Sequence, residues 1–308
     1  MSPVRLAIVG LGKIARDQHV PAVAETPGIE LVAIASRNAS LDGIAHYATL
    51  DELLVRAPEI DAVALCTPPQ PRRNQAMAAL AAGKHVLLEK PPGATVSEIA
   101  PLLACAREKG CTLFATWHSR FAPAVAPARA FLARHRPLSV TVTWKEDARL
   151  WHPGQDWIFE PGGLGVFDPG INALSILTAI LPGAFRVEAA TLVYPENRQT
   201  PVAAEVRLRG ATGYPVAVEL DWLQEGPQTW DIVVETDAGR LTLAQGGAVA
   251  AIDGAELAHE PEAEYPRLYR RFAELIRARA SDVDASPLRI VADAFLIGRR
   301  EIGPPFLD

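Results

Sequence analysis

The stretch that decides the fold is Val4 to Ala15, VRLAIVGLGKIA. Leu6-Ala7-Ile8-Val9 is short and continuously apolar, the pattern of a strand buried on both faces of a parallel sheet. Gly10 and Gly12 follow at once, Ala15 takes the third small position, and a helical pattern begins. Strand, G-x-G-x-x-A and helix, in that order, make a dinucleotide-binding fingerprint. Gly10 allows the tight turn, Gly12 lets the backbone approach a pyrophosphate, and Ala15 lets the helix pack closely on the strand. The helix start then offers unpaired N–H groups to phosphates.

Outward from this stretch, the first third of the chain alternates. Strand-like runs cover Ile29 to Ala35, Ile60 to Cys66, His85 to Leu88 and Thr112 to Ala115. Helical segments fall between them: Asp51 to Arg56, Asn74 to Ala82 closed by Gly83, and Thr95 to Lys109 closed by Gly110. This β-α alternation predicts a doubly wound parallel sheet of the Rossmann kind, with ligands beyond the carboxyl ends of its strands. Near Pro123 the pattern changes. After a helix through Arg134, the runs Leu138 to Lys145, Ala203 to Leu208, Val216 to Trp222 and Asp231 to Glu235 alternate or are rich in β-branched residues. Turns join them, which predicts a largely antiparallel open sheet. Asp168 to Leu181 reads as a helix within this half, and helices Tyr265 to Ala280 and Ser286 to Arg300 end the chain. The expected architecture is α/β: a dinucleotide domain over 1–121, an α+β substrate and oligomerisation domain over 122–308, and a cleft between them.

Composition bounds the function. A chain of 308 residues predicts about two domains. A net charge of −6 with both signs interspersed argues against a nucleic-acid partner. No apolar run reaches membrane-spanning length, and the chain enters its first strand with no room for a signal peptide, so a cytoplasmic protein is expected. Cys66, Cys105 and Cys111 are odd in number and lack paired spacing, which fits buried thiols in a reducing compartment and no metal site.

At the end of the second strand, where an acid would hold the ribose 2′-hydroxyl of NAD, the chain has Ser36-Arg37-Asn38. A hydroxyl and a guanidinium suit a 2′-phosphate, so NADP is expected over NAD, which would be accepted more weakly. Three further stretches carry chemistry. In GKHVLLEKPP, prolines hold Lys90 extended at a strand end. In WKEDARLWHPGQDW, Glu146, His152 and three tryptophans form either a sugar-stacking surface or a core aromatic cluster. In GGLGVFDPGINAL, Asp168 reads as an N-cap with Pro169 at the first helical position, and Asn172 shares its helix face.

GLGKIA, the TPP after the third strand-like run, AGKHVLLEKP and GGLGVFDPGIN together resemble the Gfo/Idh/MocA oxidoreductases over essentially the whole chain. The resemblance implies hydride transfer with Lys90 and Asp168 in the site. The family commonly has histidine four residues after that aspartate; here the position is Asn172. KEDARLWHPGQDW with this asparagine resembles a narrower group of bacterial sugar 1-dehydrogenases, which oxidise C1 of L-arabinose or D-galactose with NADP. That implies Asp168 as base, with Lys90 and Asn172 orienting the C1 oxygen. It implies His118, Glu146, His152 and Trp230 as readers of the sugar hydroxyls. Cofactor contacts implied by the resemblance are Lys13, Ile14, Cys66, Thr67, Pro68, Glu89, Lys90 and Arg120, beside Gly10, Gly12, Ser36 and Arg37. It also implies a homodimer or larger homo-oligomer. Rival readings are oxidation of a ring secondary alcohol, as in an inositol, or of a keto sugar, and a nonenzymatic NADP-binding sensor.

Overall fold

The computed structural model describes residues 2–181, 183–259 and 263–307. The chain divides into two compact units: Met1–His118 with Tyr265–Ala285, and Ser119–Glu264 with Ser286–Asp308.

The first unit runs β1 (Val4–Val9), a π-helical turn (Ala15–His19) leading into α1 (Val20–Glu25), β2 (Ile29–Ala35), β3 (Ala45–Tyr47), α2 (Leu50–Arg56), β4 (Ala62–Leu65), α3 (Pro69–Ala81), β5 (His85–Leu88), α4 (Ile99–Lys109) and β6 (Leu113–Ala115). Six parallel strands lie in the order β3-β2-β1-β4-β5-β6. The order reverses at β1, so the turn after β1 opens at the switch point where open α/β sheets bind ligands. Leu6, Ala7, Ile8, Ala62, Val63, Ala64 and Leu65 are buried, as strands covered on both faces require. Helix α3 starts at Pro69, five residues before the expected Asn74. Proline suits this first position because its missing N–H would find no helical partner there. The three cysteines are free and half-buried rather than fully buried.

The second unit holds α5 (Val125–Leu132), β7 (Pro137–Lys145), α6 (Ala148–Trp151), α7 (Phe167–Ile180), β8 (Arg186–Pro195), β9 (Ala203–Arg209), β10 (Pro215–Asp221), β11 (Thr229–Thr236), β12 (Gly239–Ala244), β13 (Val249–Ile252) and β14 (Ala255–His259). The chain then forms α8 (Glu264–Ala278), α9 (Ser286–Ile297) and β15 (Arg299–Gly303). Nine strands lie in the order β14-β13-β12-β11-β7-β10-β9-β8-β15, mostly antiparallel, with β7–β10 and β8–β15 parallel. Val140, Val142 and Trp144 on β7, with Val216, Val218 and Leu220 on β10, alternate inward to bury one face of the sheet.

Three readings of the sequence are corrected. The C-terminal half is not one continuous domain. From Tyr265 onward α8 belongs to the first unit, where Leu268, Tyr269, Phe272 and Leu275 recur at helical spacing and are buried. Residues after α8 then run beside β6, where Ala115 N–H donates to Asp282 O and Trp117 Nε1 to Asp284 O. The final helix does not reach Arg300. It stops at Ile297, and Arg299–Gly303 continue as a strand on β8, a backbone pairing that periodicity does not register. Asp168 is not an N-cap. Val166 is, without a side-chain bond, and Asp168 lies inside the first turn of α7.

The loop before α7 is held by close backbone approach. Gly165 has φ 55°, and a Cβ there would stand 2.3 Å from Pro201 O. Gly165→Ala is expected to destabilise the protein by about 2–4 kcal/mol through overpacking and backbone strain. Gly213→Ala, with open space around it, should cost only about 1–2 kcal/mol. Urea unfolding of the two variants measures the difference.

Candidate active site

In the first unit the ligand-facing groups gather at the carboxyl edge of the sheet. Gly10 turns the chain with φ 87°, and a Cβ there would lie 2.9 Å from Thr67 Cγ2, so only glycine fits against the loop after β4. Nothing lies within 4 Å of a Cβ built on Gly12, which leaves open space above the turn. Ile14 is an exposed apolar residue beside it, and Lys13 pairs with Asp17. These residues fit a dinucleotide pyrophosphate: a bare glycine turn followed by a helix start. At the end of β2, Ser36 N–H donates to Tyr47 O, and His46 Nε2 donates to Ser36 O at 2.7 Å. Arg37 next to it is exposed and makes no bond among the described residues.

Cys66, Thr67 and Pro68 form the loop after β4. Thr67 Oγ1 donates to Gln75 Oε1 at 2.6 Å. Buried Arg72 on α3 donates to the carbonyls of Thr67, Glu89 and Pro91, clamping this loop to the one that carries Lys90. Glu89, expected at the cofactor, is 3 % exposed and committed elsewhere. Its Oε1 accepts from His19 Nε2 (3.1 Å) and Tyr265 Oη (2.8 Å), and its Oε2 accepts from Lys90 N–H (2.6 Å). His19 Nδ1 meets Tyr269 Oη at 2.6 Å. His118 stacks on Tyr265 with centroids 5.3 Å apart.

Burial pushes the Glu89 carboxyl up, but hydrogen bonding and charge from His19, with the charges of His118 and Lys90, outweigh it and hold the group at about 2. Burial likewise pushes His19 down. The charges of Cys66 and Tyr269 and hydrogen bonds to Cys66 and Glu89 prevail, raising it well above 6.5. The two groups form a buried ion pair.

In the second unit the groups gather around the start of α7. Asp168 is 4 % exposed. Asn172, one turn on, is half-buried, and its side-chain amide makes no bond among the described residues. His152, which ends α6, places Nε2 3.9 Å from Asp168 Oδ2 and 3.7 Å from Glu146 Oε1. Both separations are too long for hydrogen bonds. Its Nδ1 is buried and has no partner among the described residues. Glu146, just beyond β7, is buried, and two indoles hold its carboxylate: Trp222 Nε1 to Oε1 at 3.3 Å and Trp230 Nε1 to Oε2 at 2.9 Å. The sequence placed Glu146 and Trp230 at sugar hydroxyls; the structure bonds them to each other.

The tryptophans resolve as a mixture. Trp144 is core, while Trp151 is 42 % exposed and meets Trp230 edge-on at 5.5 Å. Arg120, expected at the cofactor, belongs to the second unit and donates to Ser175 O and Thr178 Oγ1 on α7. Sequence reasoning missed Trp222, although it continues the inward alternation of β10. It also missed His19, Arg72, Tyr265 and Tyr269, which carry no local motif.

A Rossmann unit with a bare glycine turn and a second unit that buries an aspartate at a helix start define a dinucleotide-dependent oxidoreductase. The family signature described as "Oxidoreductase family, NAD-binding Rossmann fold" matches residues 4–116. The chain is 46% identical over 308 residues to the galactose 1-dehydrogenase of Pseudomonas fluorescens, covering 100% of both chains. It matches the crystal structure of a D-galactose-1-dehydrogenase from Rhizobium etli with a TM-score of 0.95 at 57% identity, covering 100% of this chain and 99% of that one. A 3-ketoreductase from Actinomadura kijaniata solved with NADP shares the fold, with a TM-score of 0.78 and 21% identity over 98% of this chain and 100% of that one. The chain belongs to the Gfo/Idh/MocA oxidoreductase family.

The Glu89 ion pair sets an acid limit on stability. Its folded value of about 2 lies below the ordinary 4.5, so its contribution is full above 4.5 and is lost as pH falls from there towards 2. The difference corresponds to about 3 kcal/mol. His19, raised, contributes fully below 6.5 and loses its share as pH climbs through the raised value. Urea midpoints between about pH 5.5 and 3 should fall steeply for the wild type and more shallowly for Glu89→Gln.

Proposed function

We propose that the protein is an NADP-preferring D-galactose 1-dehydrogenase that also accepts L-arabinose, oxidising the C1 hydroxyl of the pyranose to the lactone. The observation that carries the reading is the buried Asp168 at the start of α7, with His152 beside it and Asn172 one turn on, in a chain 46% identical throughout to a galactose 1-dehydrogenase. The two sugars share configuration at C2, C3 and C4, so one set of contacts serves both if it leaves room beyond C5.

The nicotinamide, when bound, accepts the hydride from C1. Asp168 takes the C1 hydroxyl proton, since a carboxylate is the one side chain in GGLGVFDPGIN able to act as base near neutral pH. Asn172 cannot take a proton there and instead orients the C1 oxygen through its amide. To Lys90 we assign the positive charge that favours the developing alkoxide. The imidazole of His152, beside Asp168, and the exposed face of Trp151 offer a hydroxyl partner and a stacking surface for the ring. Glu146, held by two indoles, orients His152. Ser36 and Arg37 favour a 2′-phosphate. A cytoplasmic homo-oligomer built on the open face of the nine-stranded sheet accords with this reading.

A panel assay tests the substrate: NADPH should form with galactose and L-arabinose and far more slowly with glucose, xylose or an inositol. Turnover of the inositol alone would replace the reading. Asp168→Asn should lower kcat by about 10²–10⁴-fold while NADP binding, read by protein fluorescence, persists. Near-normal turnover would pass the role of base to Lys90. Arg37→Ala should raise KM for NADP by about ten- to hundredfold and leave NAD kinetics nearly unchanged, the loss of a charge-assisted contact. Equal damage with both cofactors would remove the 2′-phosphate assignment.

A further inference from the structure

The histidine at position 19 has no place in the chemistry proposed above, yet it is fully buried and bonded to Glu89, the neighbour of Lys90. It lies at the end of the π-helical turn that follows the glycine fingerprint. Its two ring nitrogens point to two different parts of the chain: Nε2 to Glu89 at the end of β5, Nδ1 to Tyr269 on α8. Glu89 in turn spends Oε2 on the backbone N–H of Lys90, and Oε1 also receives the Tyr265 hydroxyl. Three segments of one unit, far apart in sequence, therefore converge on the single carboxylate next to Lys90.

We propose that His19 is a positioning residue for Lys90: its imidazolium, with the hydroxyls of Tyr265 and Tyr269 on α8, fixes the Glu89 carboxylate so that it grips the Lys90 backbone. The geometry gives the physical reason. A carboxylate with almost no access to water stays ionised only if charged and hydrogen-bonding partners replace the water. A protonated Glu89 would give up one acceptor oxygen and weaken its hold on the Lys90 N–H. The titratable groups facing the His19 ring are Glu89, Tyr265, Tyr269 and Cys66, and Glu89 also feels His118 and Lys90. Arg72 holds the same loop from the other side through the carbonyls of Glu89 and Pro91. Lys90 is thus held through its backbone on both sides. The inference rests on the role given to Lys90 under the proposed function, and the test separates the two.

Backbone amide exchange and kinetics on the intact protein decide it. In His19→Gln, exchange at the Lys90 amide should accelerate about ten- to hundredfold, while amides in β1 and β4 keep their protection. In the same variant kcat for galactose should fall about tenfold or more with KM for NADP held within twofold. Tyr265→Phe removes one hydroxyl and keeps the ion pair, so it should give a smaller effect of the same kind and guards against misfolding of the first variant. Nitrogen-15 spectra of labelled wild type should show a histidine with both ring nitrogens protonated, absent from His19→Gln. Unchanged Lys90 exchange, an opening spread evenly over the whole unit, or a neutral His19 ring overturns the proposal. Local opening at Lys90 with unaltered kcat overturns the catalytic use of the clasp and removes Lys90 from the reaction. Wild-type failure to oxidise galactose, with the exchange and nitrogen results as expected, removes the activity reading alone.

Discussion

The carboxylate of Glu89 is one of the few charges in the first unit with almost no exposure, and much of that unit is arranged to keep it so. A buried anion without partners would be protonated or would unfold its surroundings. Here the imidazole of His19, the hydroxyl of Tyr265 and the N–H of Lys90 take the place of water. This demand explains why a helix written late in the sequence belongs to the N-terminal unit. Helix α8 brings an apolar face, Leu268, Phe272 and Leu275, and two phenols, Tyr265 donating to Glu89 and Tyr269 meeting His19. The parallel sheet alone would cover its faces with any amphipathic helix; the charge selects one with tyrosines.

The second unit handles its carboxylates differently. Glu146 is satisfied by two indole N–H groups, neutral donors on rigid rings packed into the sheet core. Asp168 is set in the first turn of α7, where the positive end of the helix dipole favours a negative charge. Between them His152 stands just beyond hydrogen-bond distance of each. The sugar-reading surface proposed for this unit is therefore mounted on aromatic side chains whose polar ends are already fixed. The exposed ring of Trp151 remains available. Preorganisation of this kind limits the side-chain ordering that binding must impose on a flexible polyhydroxylated ligand.

Much of the fold was legible because its signals are local. VRLAIV followed by GLGKIA predicts strand, turn and helix from apolar run and glycine position alone, and β1, the Gly10 turn and the helix behind it follow that reading. Alternation along Leu138 to Lys145 and Val216 to Trp222 predicts two strands with one buried face, and β7 and β10 bury it. The readings that changed depended on distant partners. Asp168-Pro169 has the local form of a cap, but Gly165 N–H donating to Ile158 O and Val166 N–H donating to Pro201 O draw the helix start forward, so the aspartate falls inside the turn. Arg299 to Gly303 has no strand periodicity; it is extended because β8 offers a free edge. Glu89 and Arg120 sit in or beside motif stretches, yet their side chains are committed to His19 and Tyr265 and to α7.

The sequence by itself determined the class: a dinucleotide turn at the first strand and an α/β half followed by a β-rich half, because turn geometry and burial period are written in neighbouring residues. Tertiary structure alone decided which unit α8 joins, which carboxylates are spent on internal partners and which polar atoms are left for a ligand. These outcomes turn on where a buried charge can find a hydrogen-bond partner, and the partner can come from a residue 250 positions away, as Tyr269 does for His19.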